Sequence, residues 1–228
     1  MIVQIYTAQT VDEALALVDL GVDHVGITVS ERGLPGEIDL GTGRDIVTAL
    51  RGHARSVALT VDTDPIAVQV FAAALVPDIL HLCGSTVEFP SAAVADLGEW
   101  LRRRRLPIEL MQAIPVTGPE AVVEARRFAH HVDWLILDSV TEEVEGIGAA
   151  GVVHDWTVSS TIVEQSSVPV ILAGGLGPAN VARAVAAVGP AGVDSLTLTN
   201  RPLGGARFEK DLDLVGRFVV AARDAAPA

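Results

Sequence analysis

The stretch Val168-Pro169-Val170-Ile171-Leu172-Ala173-Gly174-Gly175-Leu176-Gly177-Pro178-Ala179-Asn180-Val181 decides the fold of this chain. It opens on a short β-branched apolar run, the pattern of a strand buried on both faces in a parallel sheet. Gly174 and Gly175 let the backbone turn sharply and come close to a ligand. Pro178 suits a first helical turn, and a helical pattern runs on through Val188. Strand, glycine pair and helix start together form a nest of backbone N–H groups beside a positive helix end, which suits a phosphate. A βα turn packed tightly for its own sake has the same local pattern. The weight therefore falls on whether similar strand ends recur in order.

They do recur. Strand-like runs lie at 2–6, 24–29, 56–62, 78–82, 107–114, 132–138, 169–173 and 193–198. Helix-period segments follow them at 11–20, 43–53, 65–75, 92–105, 119–130, 156–164, 178–188 and 212–222. In the first of these, Val11, Ala14, Leu15, Leu17 and Val18 trace one helical face. Eight strand–helix pairs with no linker and no break in composition predict an α/β fold, a (β/α)8 TIM barrel forming one domain over residues 1–228. A doubly wound sheet competes with it but usually has fewer units.

Composition bounds the partners. With 50% hydrophobic and 4% aromatic residues, the core is built from Ala, Val, Leu and Ile, as a parallel sheet wrapped in helices requires. A net charge of −13 argues against nucleic acid or an anionic membrane as partner. A phosphorylated substrate then needs local amide donors, because the global field repels it. Lys210 is the sole lysine and stands before the last helix, which weighs against imine-forming aldolases and pyridoxal enzymes. The single cysteine, Cys83, excludes an intrachain disulfide. No basic segment leads into an apolar one at the start, and no apolar run reaches membrane length. The expectation is a cytoplasmic monomer or homodimer that binds a phosphorylated small molecule and needs no cofactor.

In such barrels the chemistry lies at the C-terminal ends of the strands. Tyr6, Arg32, Asp62, His81, Cys83, Glu109, Asp138 and Thr197 stand at or near those ends, with Gly148 and Gly151 in the loop after strand six. His81 is the simplest base near neutral pH, and it equally fits a satisfied barrel-interior histidine. Glu109 either faces the mouth or sits at the bottom of its strand. Cys83 fits a nucleophile or base, and also a small buried hydrophobe. His81, Glu109 and Asp62 together would suit a divalent ion, but no spacing motif supports one, so no metal is expected. His130, His131 and the arginines at 102–105 end helices, where they favour the helix dipole and solvent.

The order of strand ends resembles phosphoribosylanthranilate isomerase over nearly the whole chain. The resemblance rests on Ile136-Leu137-Asp138, on Gly148 through Trp156, on Leu172 through Val181, on Gly192-Val193-Asp194, on Lys210-Asp211 and on Gly21 through Ile27. It implies an Amadori rearrangement, in which one acid protonates the ring oxygen of an aminoaldose 5-phosphate and one base removes the proton at C2. By resemblance Asp138 matches the general acid, a role that desolvation of its carboxyl would support. Gly148, Gly151, Gly174, Gly175 and Thr197 match the phosphate loops. Three places depart from the family, one of them strand four, whose family "QLHG" is here His81-Leu82-Cys83-Gly84. Tyr6 stands where the family has its base cysteine, and a phenol titrates near ~10, far from an easy base. The family's anthranilate-binding arginine falls at Gly36, with Arg32 nearby as a substitute or a solvated loop residue. Three readings stay open: an isomerase of this kind with altered specificity, a phosphosugar lyase or aldolase-like enzyme, and a non-catalytic phosphate-ligand binder.

Overall fold

The computed structural model describes residues 1–139, 146–147 and 154–226. Eight parallel strands run in sequence order: β1 (Ile2–Ile5), β2 (His24–Thr28), β3 (Arg55–Thr60), β4 (Ile79–Leu82), β5 (Glu109–Pro115), β6 (Trp134–Asp138), β7 (Val170–Leu172) and β8 (Gly192–Ser195). Pairing of β1 with both β2 and β8 closes them into a barrel. The helices alternate with them: α1 (Val11–Asp19), α2 (Leu40–Leu50), α3 (Pro65–Leu75), α4 (Ser91–Arg104), α5 (Ala121–Ala129), α6 (Trp156–Gln165), α7 (Val181–Val188) and α8 (Leu212–Asp224). The (β/α)8 expectation holds element by element. Among the described residues no helix is long and apolar enough to cross a membrane.

Carboxylates and hydroxyls start the helices where the sequence offers them. Thr10 accepts from the Glu13 amide, Asp39 from Thr42, Asp64 from Ile66 and Ala67, Asp155 from Thr157 and Asp211 from Asp213 and Leu214. Each satisfies backbone donors that the first turn leaves free and places negative charge at the positive helix end. Two aspartates that the family resemblance singles out, Asp155 and Asp211, are thus helix caps.

Alternation along each strand sorts the apolar residues into two cores. Outward-facing Val3, Ile5, Val25, Ile27, Leu80 and Leu135 pack against the helices in one cluster. Inward-facing Val57, Ile79, Met111, Ile136 and Ile171 fill the barrel in a second cluster, which also includes Tyr6 and Cys83 near the top. The Tyr6 ring lies across Gly26 on β2, where an added Cβ would come within 2.4 Å of it.

The observed strands differ from the expected ones by up to three residues at their ends, and two of the differences bear on the site. β8 ends at Ser195, and Thr197–Thr199 forms a 3-10 turn that leads into a hairpin, β9 (Asn200–Gly204) and β10 (Arg207–Lys210), unforeseen from sequence. β5 begins at Glu109, so this residue belongs to the N-terminal end of the barrel and not to its mouth. There its carboxylate takes hydrogen bonds from Arg55 at 2.8 Å and Trp134 Nε1 at 2.6 Å, both first residues of their own strands. Glu109, expected among the substrate-binding residues at the mouth together with Arg32 and Asp62, therefore leaves that set.

Gly26→Ala should lower stability by about 1–3 kcal/mol, because the new methyl collides with the root of the Tyr6 ring and not with a mobile tip. Urea unfolding measures it. Adding Tyr6→Ala to Gly26→Ala should recover part of the loss if the collision is the cause.

Candidate active site

Two neighbouring cavities open at the C-terminal end of the barrel. The first, with about 570 Å³ of empty space, is lined mainly by Leu34, Pro35, Leu59, Val61, Ile136 and Ile147. Its ionisable lining is Tyr6, His81, Cys83, Asp138 and Asp194. The second is smaller and lined by Gly174, Gly175, Ser195, Thr197 and Leu198. Asp138, Asp194 and Leu196 line both cavities and so mark the junction between them.

Asp138 ends β6, and Asp194 lies on the inner face of β8. Burial among apolar side chains raises the Asp138 carboxyl to about 7, against a smaller opposing pull from the Ser139 amide at 2.7 Å. Burial also raises Asp194, to about 8; the neighbouring Asp138 adds to this, while Gln4 and Lys210 oppose it. Two carboxyls in one desolvated space do not both ionise easily, and their titrations belong to the pair. Among the described residues Asp194 Oδ1 is buried with no hydrogen-bond partner. Asp194 escaped the sequence reading of the site, although the period of two along 192–196 turns it inward with Gly192 and Leu196.

A chain of three side chains crosses from the end of β1 to the end of β4. Tyr6 Oη lies 3.0 Å from His81 Nδ1, and His81 Nε2 lies 3.1 Å from Cys83 Sγ. Burial pulls His81 down to about 3 and pushes the Tyr6 phenol and the Cys83 thiol well above their ordinary values. At neutral pH all three are uncharged.

The rim is held by Lys210, whose ammonium donates to the backbone oxygen of Tyr6, to that of Leu196 at 3.2 Å and to Asn200 Oδ1 at 2.5 Å. The sole lysine thus ties the top of β1 to the segment after β8. Burial pulls its amine down to about 7, with Glu13 and Asp194 resisting.

The glycine cradle matches the strand–turn–helix reading. Gly174 and Gly175 have φ of 82° and 61°, a conformation that favours glycine. A Cβ on Gly174 would stand 2.8 Å from His154 Nδ1 and 2.9 Å from Ser139 Oγ. Asn180 braces the turn, accepting from Gly177 N at 2.8 Å and donating to the Gly175 carbonyl at 2.9 Å. Thr197 opens the 3-10 turn on the facing side. Gly148 and Gly151, the other expected phosphate residues, lie outside the described residues.

Arg32 and Asp62 pair with each other on an adjoining rim cavity that shares Val61 and Ile147 with the apolar one. Gly36, where the family has its arginine, has φ of 65° and is packed against Thr7 and Phe208, so no side chain fits there without rearrangement. With His81 in the barrel, Asp62 on the rim and Glu109 at the opposite end, the three residues weighed as metal ligands do not meet. Among the described residues no group of His, Cys, Asp and Glu is placed to hold a metal ion.

Proton-holding carboxyls thus lie between an apolar pocket and a glycine cradle at the mouth of a closed barrel, and this chain is an enzyme of the aldose–ketose isomerase type. Residues 51–196 match the family of N-(5'-phosphoribosyl)anthranilate (PRA) isomerase. The N-(5'-phosphoribosyl)anthranilate isomerase of Natronomonas pharaonis is 34% identical over 206 residues, covering 90% of this chain and 89% of that protein. N-(5'-phosphoribosyl)anthranilate isomerase 2 of Methanosarcina mazei is 30% identical over 86% of this chain and 84% of its own length. The fold is shared with solved phosphoribosylanthranilate isomerases. That of Thermotoga maritima aligns with a TM-score of 0.77 at 23% identity over 98% of this chain and all of its own. That of Thermus thermophilus aligns at 0.78 and 20% identity, covering 98% of this chain and 99% of its own. The chain belongs to the N-(5'-phosphoribosyl)anthranilate isomerase family.

The raised carboxyl carries a stability signature. Folded Asp138 holds its proton up to about 7, whereas an unfolded aspartate releases it near ~3.9. Between those values the native state binds more protons, so this group's contribution falls as pH rises. Asp138→Asn should therefore gain stability over the native protein progressively from pH 4 to 8, by at least about 1 kcal/mol at the top. Denaturant midpoints across that range measure it.

Proposed function

We propose that this enzyme catalyses the Amadori rearrangement of N-(5'-phosphoribosyl)anthranilate itself, with Asp138 as the general acid. The observation that carries the reading is the place of Asp138 at the junction of the two cavities. A 5-phosphorylated ribose with an aromatic amine at C1 needs an anion site at one end and an apolar slot at the other. Its ring oxygen and C1–C2 bond then lie between them, which is where a protonated carboxyl stands. A solved relative with TM-score 0.75 is described in complex with reduced 1-(o-carboxyphenylamino)-1-deoxyribulose 5-phosphate, a molecule with that same division into phosphate, sugar and aryl carboxylate.

The residues divide the work as follows. Backbone amides around Gly174, Gly175 and Thr197 take the phosphate, supplying local donors in a protein of net charge −13. Leu34, Pro35 and Ile147 cover the aromatic ring. Arg32, held near the mouth by Asp62, supplies the cation for the aryl carboxylate. Asp138 gives its proton to the ring oxygen as the C1–O bond breaks, and the nitrogen lone pair forms the iminium. A carboxyl at about 7 is half protonated near neutral pH and therefore suited to the role.

Asp138→Asn should reduce kcat on phosphoribosylanthranilate by about 10²–10⁴-fold, the usual worth of one positioned acid, while binding of the reduced product analogue is kept. In the native enzyme kcat should decline as pH rises through about 7, as Asp138 ionises. Steady-state kinetics and a binding titration check both. An unchanged kcat in the variant would remove Asp138 from the reaction.

A further inference from the structure

We propose that Cys83, the residue that follows β4, with His81 behind it, is the base that removes the C2 proton. This deepens the isomerase reading above and rests on it. Five described side chains able to take up a proton line the apolar cavity: Tyr6, His81, Cys83, Asp138 and Asp194. Asp138 is used as the acid. Asp194 stands with Asp138 at the junction with the glycine cradle, towards the phosphate end of the site. Tyr6 has its hydroxyl engaged with His81, and both nitrogens of His81 are engaged, one by Tyr6 and one by Cys83. The chain of contacts has two ends on the cavity, Tyr6 Oη and Cys83 Sγ, and of these the thiol is the group more easily made a base, with an ordinary pKa near ~8.5 against ~10 for a phenol. Asp194 Oδ1, buried on the same cavity and without a partner among the described residues, marks that cavity independently as a place where a polar ligand completes the contacts.

In the empty site, burial and the nearby Asp138 and Asp194 keep the thiol protonated. Ring opening changes the field, because it places a cationic iminium beside the sulfur and stabilises the thiolate. The thiol proton passes to His81 Nε2, with Nδ1–H donating to Tyr6 Oη. The thiolate then takes the proton from C2. The C2–H electron pair becomes the C1=C2 bond while the C1=N pair returns to nitrogen, giving the enaminol. The proton that Asp138 lost to the ring oxygen is matched by the one the Cys83–His81 pair has gained, and return of that proton to Asp138 resets the site. The enaminol tautomerises to the ketone by losing its hydroxyl proton and gaining one at C1. Nucleophile and imidazole within reach, with a third group orienting the imidazole, is the recurring geometry of an activated thiol.

The test uses the full-length enzyme and phosphoribosylanthranilate, unlabelled and deuterated at C2. Cys83→Ala should lower kcat by about 10²–10⁴-fold with KM within about threefold. Cys83→Ser, the closer replacement, should stay folded and show a larger isotope effect on kcat, because a weaker base makes C2–H transfer limiting. His81→Gln should slow turnover and enlarge the isotope effect in the same way. Iodoacetamide, which has one cysteine to find, should inactivate the enzyme, and the reduced product analogue should protect it. Native activity with Cys83→Ala within threefold of wild type would overturn the base assignment alone. A native enzyme that fails to convert the substrate would overturn the isomerase reading and this assignment with it.

Discussion

Removal of water from two carboxyls is the constraint on which the rest depends. A closed eight-stranded barrel packs its interior with side chains, here Val57, Ile79, Met111, Ile136 and Ile171, so the floor of the mouth is apolar. Asp138 and Asp194 stand on that floor and hold protons to about 7 and about 8. A carboxyl in water would have lost its proton at neutral pH and would have nothing to donate to a sugar oxygen. The acid function proposed for Asp138 would thus come from the core packing, through desolvation, and not from a dedicated partner residue.

The same desolvation explains why the wall from β1 to β4 is neutral. Tyr6, His81 and Cys83 form one linked row in which no member carries charge at rest. A preformed thiolate–imidazolium pair in this space would raise the energy of the empty enzyme. In the proposed reaction charge arrives with the substrate, when the iminium forms, and is met by groups that are already oriented. Lys210, tied to the carbonyls beside Tyr6 and Leu196, holds that wall and the cradle side of the mouth in a fixed relation.

Most of the fold was legible because parallel strands and amphipathic helices leave strong periodic signals, and the eight units stood in order. The glycine cradle was legible because Gly174 and Gly175 sit where a strand meets a helix, and the structure gives both a positive φ. What escaped depends on three-dimensional closure. Whether Glu109 lies at the top or bottom of its strand turns on where pairing begins, and that is set by Arg55 and Trp134 from other strands. Asp194 looked like part of a motif until closure of the barrel turned its side chain into the cavities that Asp138 also lines. The hairpin of β9 and β10 follows a short strand through a 3-10 turn, and the apolar run 193–198 hides that break. The Tyr6–His81–Cys83 row joins residues 75 and 2 positions apart, a contact no local pattern announces.

The most direct measurement is a carboxyl titration of the native protein by carbon NMR, with aspartate labelled at the side-chain carbon and signals assigned through Asp138→Asn and Asp194→Asn. Two resonances should titrate at about 7 and about 8, and each replacement should lower the value of the carboxyl that remains. If both carboxyls instead titrate below about 5, in the ordinary aspartate range, the barrel floor does not hold their protons and Asp138 has none to give at neutral pH.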